Sequence, residues 1–263
     1  MTRPLALDLF CCSGGSTVGL ERAGFDVIGI DHKPSQHWCG AGELHEADLS
    51  TADAVESVIR AFAPDFVSAS PPCQANSVAT AKHTRERHAN LIASTREGMV
   101  RTGVPGWIEN VPPIARIRWP ELVRPDVVLC GSMFPETPRL RRHRHFELIE
   151  WYVFTPPHWN CTFEPISVAG KGPPDRHQAA RYKARRAVIT ATGNGPTGGA
   201  DRNGFVGQNR PGPECIRWRE AMGWLDGPRD RYSLAQAIPP AYAEWLGRRF
   251  LETREAVRRT EGT

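Results

Sequence analysis

Apolar residues in the first half of the chain fall into short blocks, separated by stretches with helical spacing. Leu5 to Phe10 (L-A-L-D-L-F) reads as a buried strand, because a brief apolar run ahead of turn residues suits the middle of a sheet. Val18 to Ala23 opens a helix, and Asp26 to Ile30 (D-V-I-G-I) is a second strand that ends at Asp31. Between Thr51 and Ala63, Val55, Val58, Ile59 and Phe62 recur on one face, which predicts a helix. Phe66 to Ala69 is a third strand, Arg85 to Thr102 a helix, and Gly106 to Glu109 and Asp126 to Cys130 two further strands. Strand and helix in alternation predict an α/β fold on a doubly wound, mostly parallel sheet.

The texture changes near Glu150. From Trp151 to about Cys215 the chain is rich in Pro, Gly, Arg and Asn, and Thr192 to Gly199 (T-G-N-G-P-T-G-G) is turn chemistry. One strand-like run, Ala187 to Thr190, interrupts it. Helical signals return after Arg217, in Trp218 to Leu225 and Ala241 to Leu251. This pattern predicts one large domain carrying a small inserted region.

The length of 263 residues suits that reading and suffices to bury a core without disulfide or metal staples. No apolar run approaches the roughly 20 residues of a membrane span. Met1-Thr2-Arg3-Pro4 leads straight into the first strand, so no leader is expected, and the expected location is the cytoplasm, that of the host if the protein is phage-encoded. The seven cysteines form no C-x-x-C pair, so reduced thiols are expected, with no disulfide framework and no metal site. The 33 basic and 29 acidic residues leave a net charge of +4, a weak pointer to a polyanion. Arg139 to His145 (R-L-R-R-H-R-H) and Arg176 to Arg186 concentrate the positive charge, as a solvated face or as a phosphate-binding surface.

Four motifs carry candidate chemistry. In Asp8 to Leu20 (D-L-F-C-C-S-G-G-S-T-V-G-L) a strand gives way to a Gly14-Gly15 turn and a helix start, with Ser16 or Thr17 as candidate caps. Free N–H groups there suit an electronegative ligand, and Asp31 at the end of the next strand suits ribose hydroxyls. Together they indicate a nucleoside-containing cofactor, either NAD or S-adenosylmethionine. Ser70-Pro71-Pro72-Cys73-Gln74 follows the third strand, with two prolines fixing the backbone before Cys73. That cysteine is a nucleophile or a buried structural thiol. Glu109-Asn110-Val111 ends the next strand; an acid in an apolar setting there has a raised pKa and can donate a proton, or it is a cap. In Arg142-His143-Arg144, alternation on a strand would point two guanidinium groups to one face.

In this order the motifs resemble the cytosine-C5 DNA methyltransferase family. D-L-F-C-C-S-G-G, G-I-D with Asp31, and Ala47-Asp48-Leu49 are similar to its cofactor motifs. S-P-P-C-Q is similar to its nucleophile motif, E-N-V to that of its catalytic glutamate, and R-R-H-R-H-F to its Q-x-R-x-R. R-E-A-M-G-W and A-I-P-P-A-Y-A-E-W-L-G resemble the last two motifs. Three positions depart from the pattern: Cys12 replaces a glycine, Leu140 replaces the glutamine, and Gln236-Ala237-Ile238 stands for G-N-S.

The resemblance implies an S-adenosylmethionine-dependent methyltransferase fold, with residues 1–146 and 217–257 as catalytic domain, 147–216 as target-recognition region and 258–263 as a tail. It implies S-adenosylmethionine held by Phe10, Gly14, Gly15, Asp31 and Asp48, and double-stranded DNA bound by a monomer, as in restriction-modification. Phe10 would pack on the adenine or the methionine arm, Asp31 would take the ribose, and Asp48 the adenine amino group. Cys73 would attack carbon 6 of a flipped-out cytosine, Glu109 would protonate ring nitrogen 3, Arg144 would hold O2, and Arg142 would support the anion or the nucleophile loop. Ala75 to Arg87 would be a mobile loop closing over the base. The rivals are an RNA cytosine methyltransferase, a DNA-binding relative without turnover, and an NAD-dependent oxidoreductase; the last leaves P-P-C-Q, E-N-V and R-x-R unexplained together.

Overall fold

In the computed structural model, seven strands make one sheet: β1 (Leu5–Leu9), β2 (Asp26–Asp31), β3 (Leu44–Glu46), β4 (Phe66–Ala69), β5 (Gly106–Asn110), β6 (Val127–Leu129) and β7 (Arg144–Ile149). Their order is β3-β2-β1-β4-β5-β7-β6. Neighbours are parallel except at β7, which runs antiparallel to both β5 and β6. The structure describes residues 2–75, 87–113, 119–137, 140–155, 158, 165–167, 188–190 and 213–261. A separate parallel pair joins β8 (Pro165–Ser167) to β9 (Val188–Thr190). The expected doubly wound, mostly parallel sheet is present.

Six α-helices are described: α1 (Gly15–Ala23), α2 (Ala52–Phe62), α3 (Ile92–Thr102), α4 (Pro213–Ala221), α5 (Arg231–Gln236) and α6 (Pro240–Glu261). Alternation along the buried strands divides the core between the two faces of the sheet. Ala6, Phe66, Trp107, Phe146 and Leu148 pack with Leu20 of α1 and with Tyr242, Leu246 and Phe250 of α6. Leu7, Leu9, Val67, Ala69 and Ile108 pack with Val55 and Ile59 of α2 and with Ile92 and Met99 of α3. A third cluster joins Trp218, Met222, Trp224 and Leu234 to Leu140 and Val18, docking α4 and α5 beside α1.

Several boundaries differ from the sequence reading. The Thr51 hydroxyl accepts from the Ala54 N–H (3.2 Å) and starts α2 as an N-cap. The helix expected from Arg85 begins at Ile92, because the Asn90 side chain accepts from the Ile92 N–H (3.2 Å) and holds a turn before it. Strand β7 carries the large sheet through Ile149, past the expected boundary at 147, and α4 spans the expected boundary at 216. Its Glu147 accepts a bidentate contact from Arg96 of α3, 2.7 Å at each oxygen; Arg96 also donates to the Pro120 and Leu122 carbonyls and lies over the Trp119 ring. This buried pair ties α3 and the approach to β6 onto β7. The rest of the expected recognition region, the basic run Arg176 to Arg186 and nearly all of the expected mobile loop (76–86) lie outside the described residues. Among the described residues, no helix is long and apolar enough to cross a membrane, and the described cysteines form no disulfide.

Candidate active site

The chain passes from β1 outward through β2 to β3, then returns to β4 on the other side of β1 and continues to β5. At such a reversal the loops leaving the carboxyl ends of two adjacent strands diverge and open a crevice. A cleft of about 680 Å³ lies there, lined by Phe10, Gly15, Asp31, Cys73, Glu109 and Arg144 among others. The structure therefore brings together six of the nine candidate residues. Gly14, Asp48 and Arg142 do not line the cleft.

The turn after β1 is tightly bent. Phe10, Cys12 and Gly14 all have positive φ, 58°, 49° and 85°. Gly14 precedes α1 in the left-handed conformation, and no side chain caps the helix. The expected caps do other work: Thr17 Oγ1 donates to Asp8 Oδ2 (2.6 Å), and the Ser16 and Ser68 hydroxyls share a hydrogen bond (2.8 Å). Gly15 permits the closest backbone approach in the site. A Cβ there would lie 2.3 Å from the Ile238 carbonyl oxygen, so the turn and the 236–238 segment meet only over a glycine.

The cofactor end is polar at fixed points. Asp31 is buried; its Oδ2 accepts from the Cys12 N–H (2.9 Å) and its Oδ1 from the Lys33 N–H (3.2 Å). Asp8 lies beneath, fully buried, and also accepts from the Ser68 hydroxyl (3.0 Å). Burial pushes its carboxyl up to about 7 despite these hydrogen bonds. Asp48 is exposed and accepts from the Ser50 N–H (2.9 Å) and hydroxyl (3.0 Å), closing a local turn. Each carboxylate oxygen keeps acceptor capacity beyond these two bonds.

The reactive end gathers at β4 and β5. Ser70 N–H donates to the Leu9 carbonyl (3.1 Å), and Asn110 Nδ2 to the Pro71 carbonyl (2.9 Å). These bonds and the two prolines fix the backbone that presents Cys73. Burial raises the Cys73 thiol pKa; Arg144 opposes that shift, while Glu109 adds to it. Glu109 is also raised by burial, with Arg144 and then Arg142 opposing. Arg144 Nε lies 2.7 Å from Glu109 Oε1, yet that oxygen accepts no well-aligned hydrogen bond, so the contact is an ion pair with acceptor capacity left over.

Arg142 corrects the expectation of two guanidinium groups on one strand face. β7 begins at Arg144, so Arg142 precedes it and turns inward. It is almost fully buried and donates from Nη2 to the Ala235 (2.6 Å) and Ala237 (2.8 Å) carbonyls. Tyr242 Oη donates to the Arg142 carbonyl (2.6 Å). Burial lowers the Arg142 pKa to about 9. These bonds hold the 235–237 segment, and the Arg142 charge also opposes the burial-driven rise in the Cys73 thiol pKa.

Sequence reasoning missed Asp8, Asn110, Tyr232 and the 32–37 loop. Asp8 and Asn110 stood inside quoted motifs, and the loop directly follows Asp31, so adjacency was the available signal. Tyr232 lies in a helix with no distinguishing pattern. Where the usual G-N-S is absent, Gln236, Ala237 and Ile238 still line the cleft.

The wall carries polar atoms suited to a nucleoside and a polar base. Among the described residues, Ser70 Oγ and Gln74 Oε1 are buried and accept no hydrogen bond, and both residues line the cleft with Asp31 and Phe10. The residues present thus fit a ribose-containing cofactor beside a second polar ligand.

A sequence model of the C-5 cytosine-specific DNA methylase family matches residues 6–117. The chain is 31% identical over 114 residues to the type II methyltransferase M.HgiGI of Herpetosiphon aurantiacus, a stretch covering 40% of this chain and 88% of that protein. It is 31% identical over 112 residues to the type II methyltransferase M.HgiDI of the same organism, where the match spans 36% of the relative's length. The methyltransferase EhMeth of Entamoeba histolytica superposes with a TM-score of 0.53 at 11% identity, over 94% of this chain and 97% of that one; at that identity the likeness concerns the fold.

Proposed function

Because the chain belongs to the C-5 cytosine-specific DNA methylase family, we propose that it methylates carbon 5 of cytosine in double-stranded DNA, acting as a monomer through a covalent adduct on Cys73. S-adenosylmethionine, the methyl donor of this family, supplies an electrophilic methyl carbon on a sulfonium. The observation that carries the reading is the placement of Cys73 and Glu109 at the ends of adjacent strands, facing one cleft, with Arg144 against the glutamate.

Carbon 5 of cytosine is a weak nucleophile because its electrons belong to an aromatic ring. Cys73 removes that obstacle by giving up its thiol proton to solvent and adding as the thiolate to carbon 6. Glu109, whose carboxyl is held above its ordinary range by burial, donates its proton to ring nitrogen 3 as the sulfur adds. The ring then carries an enamine, and carbon 5 can take a methyl group. Loss of the carbon 5 proton to water, departure of Cys73 as the thiolate and return of the nitrogen 3 proton to Glu109 restore the aromatic ring and the resting enzyme. Arg144 holds the cytosine O2 and keeps Glu109 in place.

The reaction requires the target base to leave the duplex, which costs roughly a few kcal/mol. Basic side chains along the chain, including the run Arg176 to Arg186, would offset that cost through phosphate contacts. At the donor end, Phe10 would pack on the cofactor, Asp31 would accept from its ribose hydroxyls, and Gly14 and Gly15 would let it approach the start of α1.

Incubating the chain with S-adenosylmethionine and a duplex library containing 5-fluorocytosine tests this directly. The fluorine blocks the last proton loss, so a denaturing gel should show a DNA adduct, mapped by mass spectrometry to Cys73 and absent in Cys73→Ala. Adducts on RNA alone would replace the DNA assignment, and none on either would remove the covalent step.

A further inference from the structure

Next to Arg144 in sequence, His143 meets two other potential metal ligands, Cys130 and His158, and none of the three lines the cleft. Cys130 follows β6, and the β6–β7 register sets Leu129 opposite Arg144, which brings Cys130 beside His143. The His143 side chain hydrogen-bonds the Cys130 sulfur. The third group arrives after β7: Trp151 Nε1 donates to the Gly106 carbonyl (2.7 Å) and Thr155 Oγ1 to the Asp126 carbonyl (3.0 Å), anchoring this segment near the start of β6. Three residues later, His158 lies with its ring 5.1 Å from that of His143, the two planes inclined by 72°.

One ligand atom from each of Cys130, His143 and His158 lies within 4.8 Å of the others. Around a tetrahedral zinc such atoms are about 3.5 Å apart, so closure needs side-chain shifts of roughly an ångström or less. Ser132 Oγ already bridges part of the gap, 3.5 Å from both Cys130 Sγ and His158 Nε2. A thiolate with two imidazoles is a borderline-soft donor set that suits zinc and poorly suits magnesium or calcium. None of the three lines the catalytic cleft, so an ion here would be structural. In the sequence Cys161 follows His158 at an H-x-x-C spacing; it lies outside the described residues.

We propose that Cys130, His143 and His158 bind one zinc ion, which fastens the segment leaving β7 to the end of the sheet that bears Arg144. Two neighbouring backbone positions would then be fixed together, the one that sets Arg144 against Glu109 and the one from which the chain enters the expected recognition region. The cluster escapes a search for paired ligands because its members are 13 and 15 residues apart in sequence, in no recognised spacing, and meet only through the β6–β7 pairing.

The test uses the untagged full chain. After zinc loading and exhaustive dialysis, elemental analysis should find about one zinc per chain. Cobalt substitution should give an intense sulfur-to-metal charge-transfer band, lost in Cys130→Ser. His158 is exposed, so His158→Gln should keep the wild-type melting temperature without zinc yet bind zinc at least about tenfold more weakly. Failure of the wild type to retain zinc, a cobalt spectrum without the thiolate band, or unchanged zinc affinity in His158→Gln would each overturn the proposal. None of these readouts depends on methyl transfer.

Discussion

Arg144 and Glu109 oppose each other diagonally across the antiparallel pairing of β7 with β5, Nε to Oε1 at 2.7 Å. The same guanidinium opposes the burial-driven rise in pKa of both Glu109 and Cys73. Replacing Arg144 with Ala should therefore raise both pKa values. The bell of kcat/KM against pH should move to higher pH on both limbs, with its maximum down by about 10²–10³ from the lost contact to the base. Glu109→Gln should abolish one limb. A profile that keeps its position in Arg144→Ala would remove this electrostatic link.

Gly15→Ala should disturb two parts of the site together. The added Cβ meets the Ile238 carbonyl at 2.3 Å, and neither backbone segment can yield as a side chain could. A stability loss of about 1–3 kcal/mol is expected. S-adenosylhomocysteine, titrated calorimetrically, should bind at least about tenfold more weakly as 236–238 is pushed from its place. Wild-type affinity in this variant would show that the close approach is not needed.

Asp8 should give the fold a distinct pH dependence. Its folded pKa of about 7 lies above its ordinary 3.8, so the folded state holds the proton more tightly. The contribution to stability is full below pH 3.8 and is lost as pH rises through 7. Asp8→Asn cannot titrate; its stability relative to wild type should grow by a few kcal/mol between pH 4 and 7. Denaturant midpoints of both proteins across that range check the slope.

Cys12 occupies a conformation that glycine adopts freely, with φ of 49°. Cys12→Gly should stay within about 1 kcal/mol of wild type, because relief of strain and the greater freedom of the unfolded glycine nearly cancel. Cys12→Val, branched at Cβ, should cost more than about 1 kcal/mol. Equal melting temperatures for the two variants would contradict the backbone assignment.

Much of this site was legible because its residues follow strands whose short apolar runs are hard to mistake. Cys73 and Glu109 could be placed at the cleft from sequence alone, since the ends of buried parallel strands face it. Residues whose role depends on register were harder. Arg142 and Arg144 look alternate in the sequence, but β7 starts between them, and one turns inward to meet carbonyls 93 and 95 residues away. The local turn in which Asp48 accepts from the Ser50 N–H and hydroxyl was not legible either. The substitution of glycine by Cys12 was visible, but that the turn keeps a left-handed backbone there was not.

The inward turn of Arg142 has a consequence for energetics. Its guanidinium grips the Ala235 and Ala237 carbonyls on the rim of the donor end, while its own carbonyl is held by Tyr242, two residues before the arginine that faces the base end. One anchor thus serves both halves of the cleft. Ordering either half lowers the entropy left to be lost when the other fills, so the two ligands should bind with positive cooperativity, and by linkage each should tighten the other by the same factor.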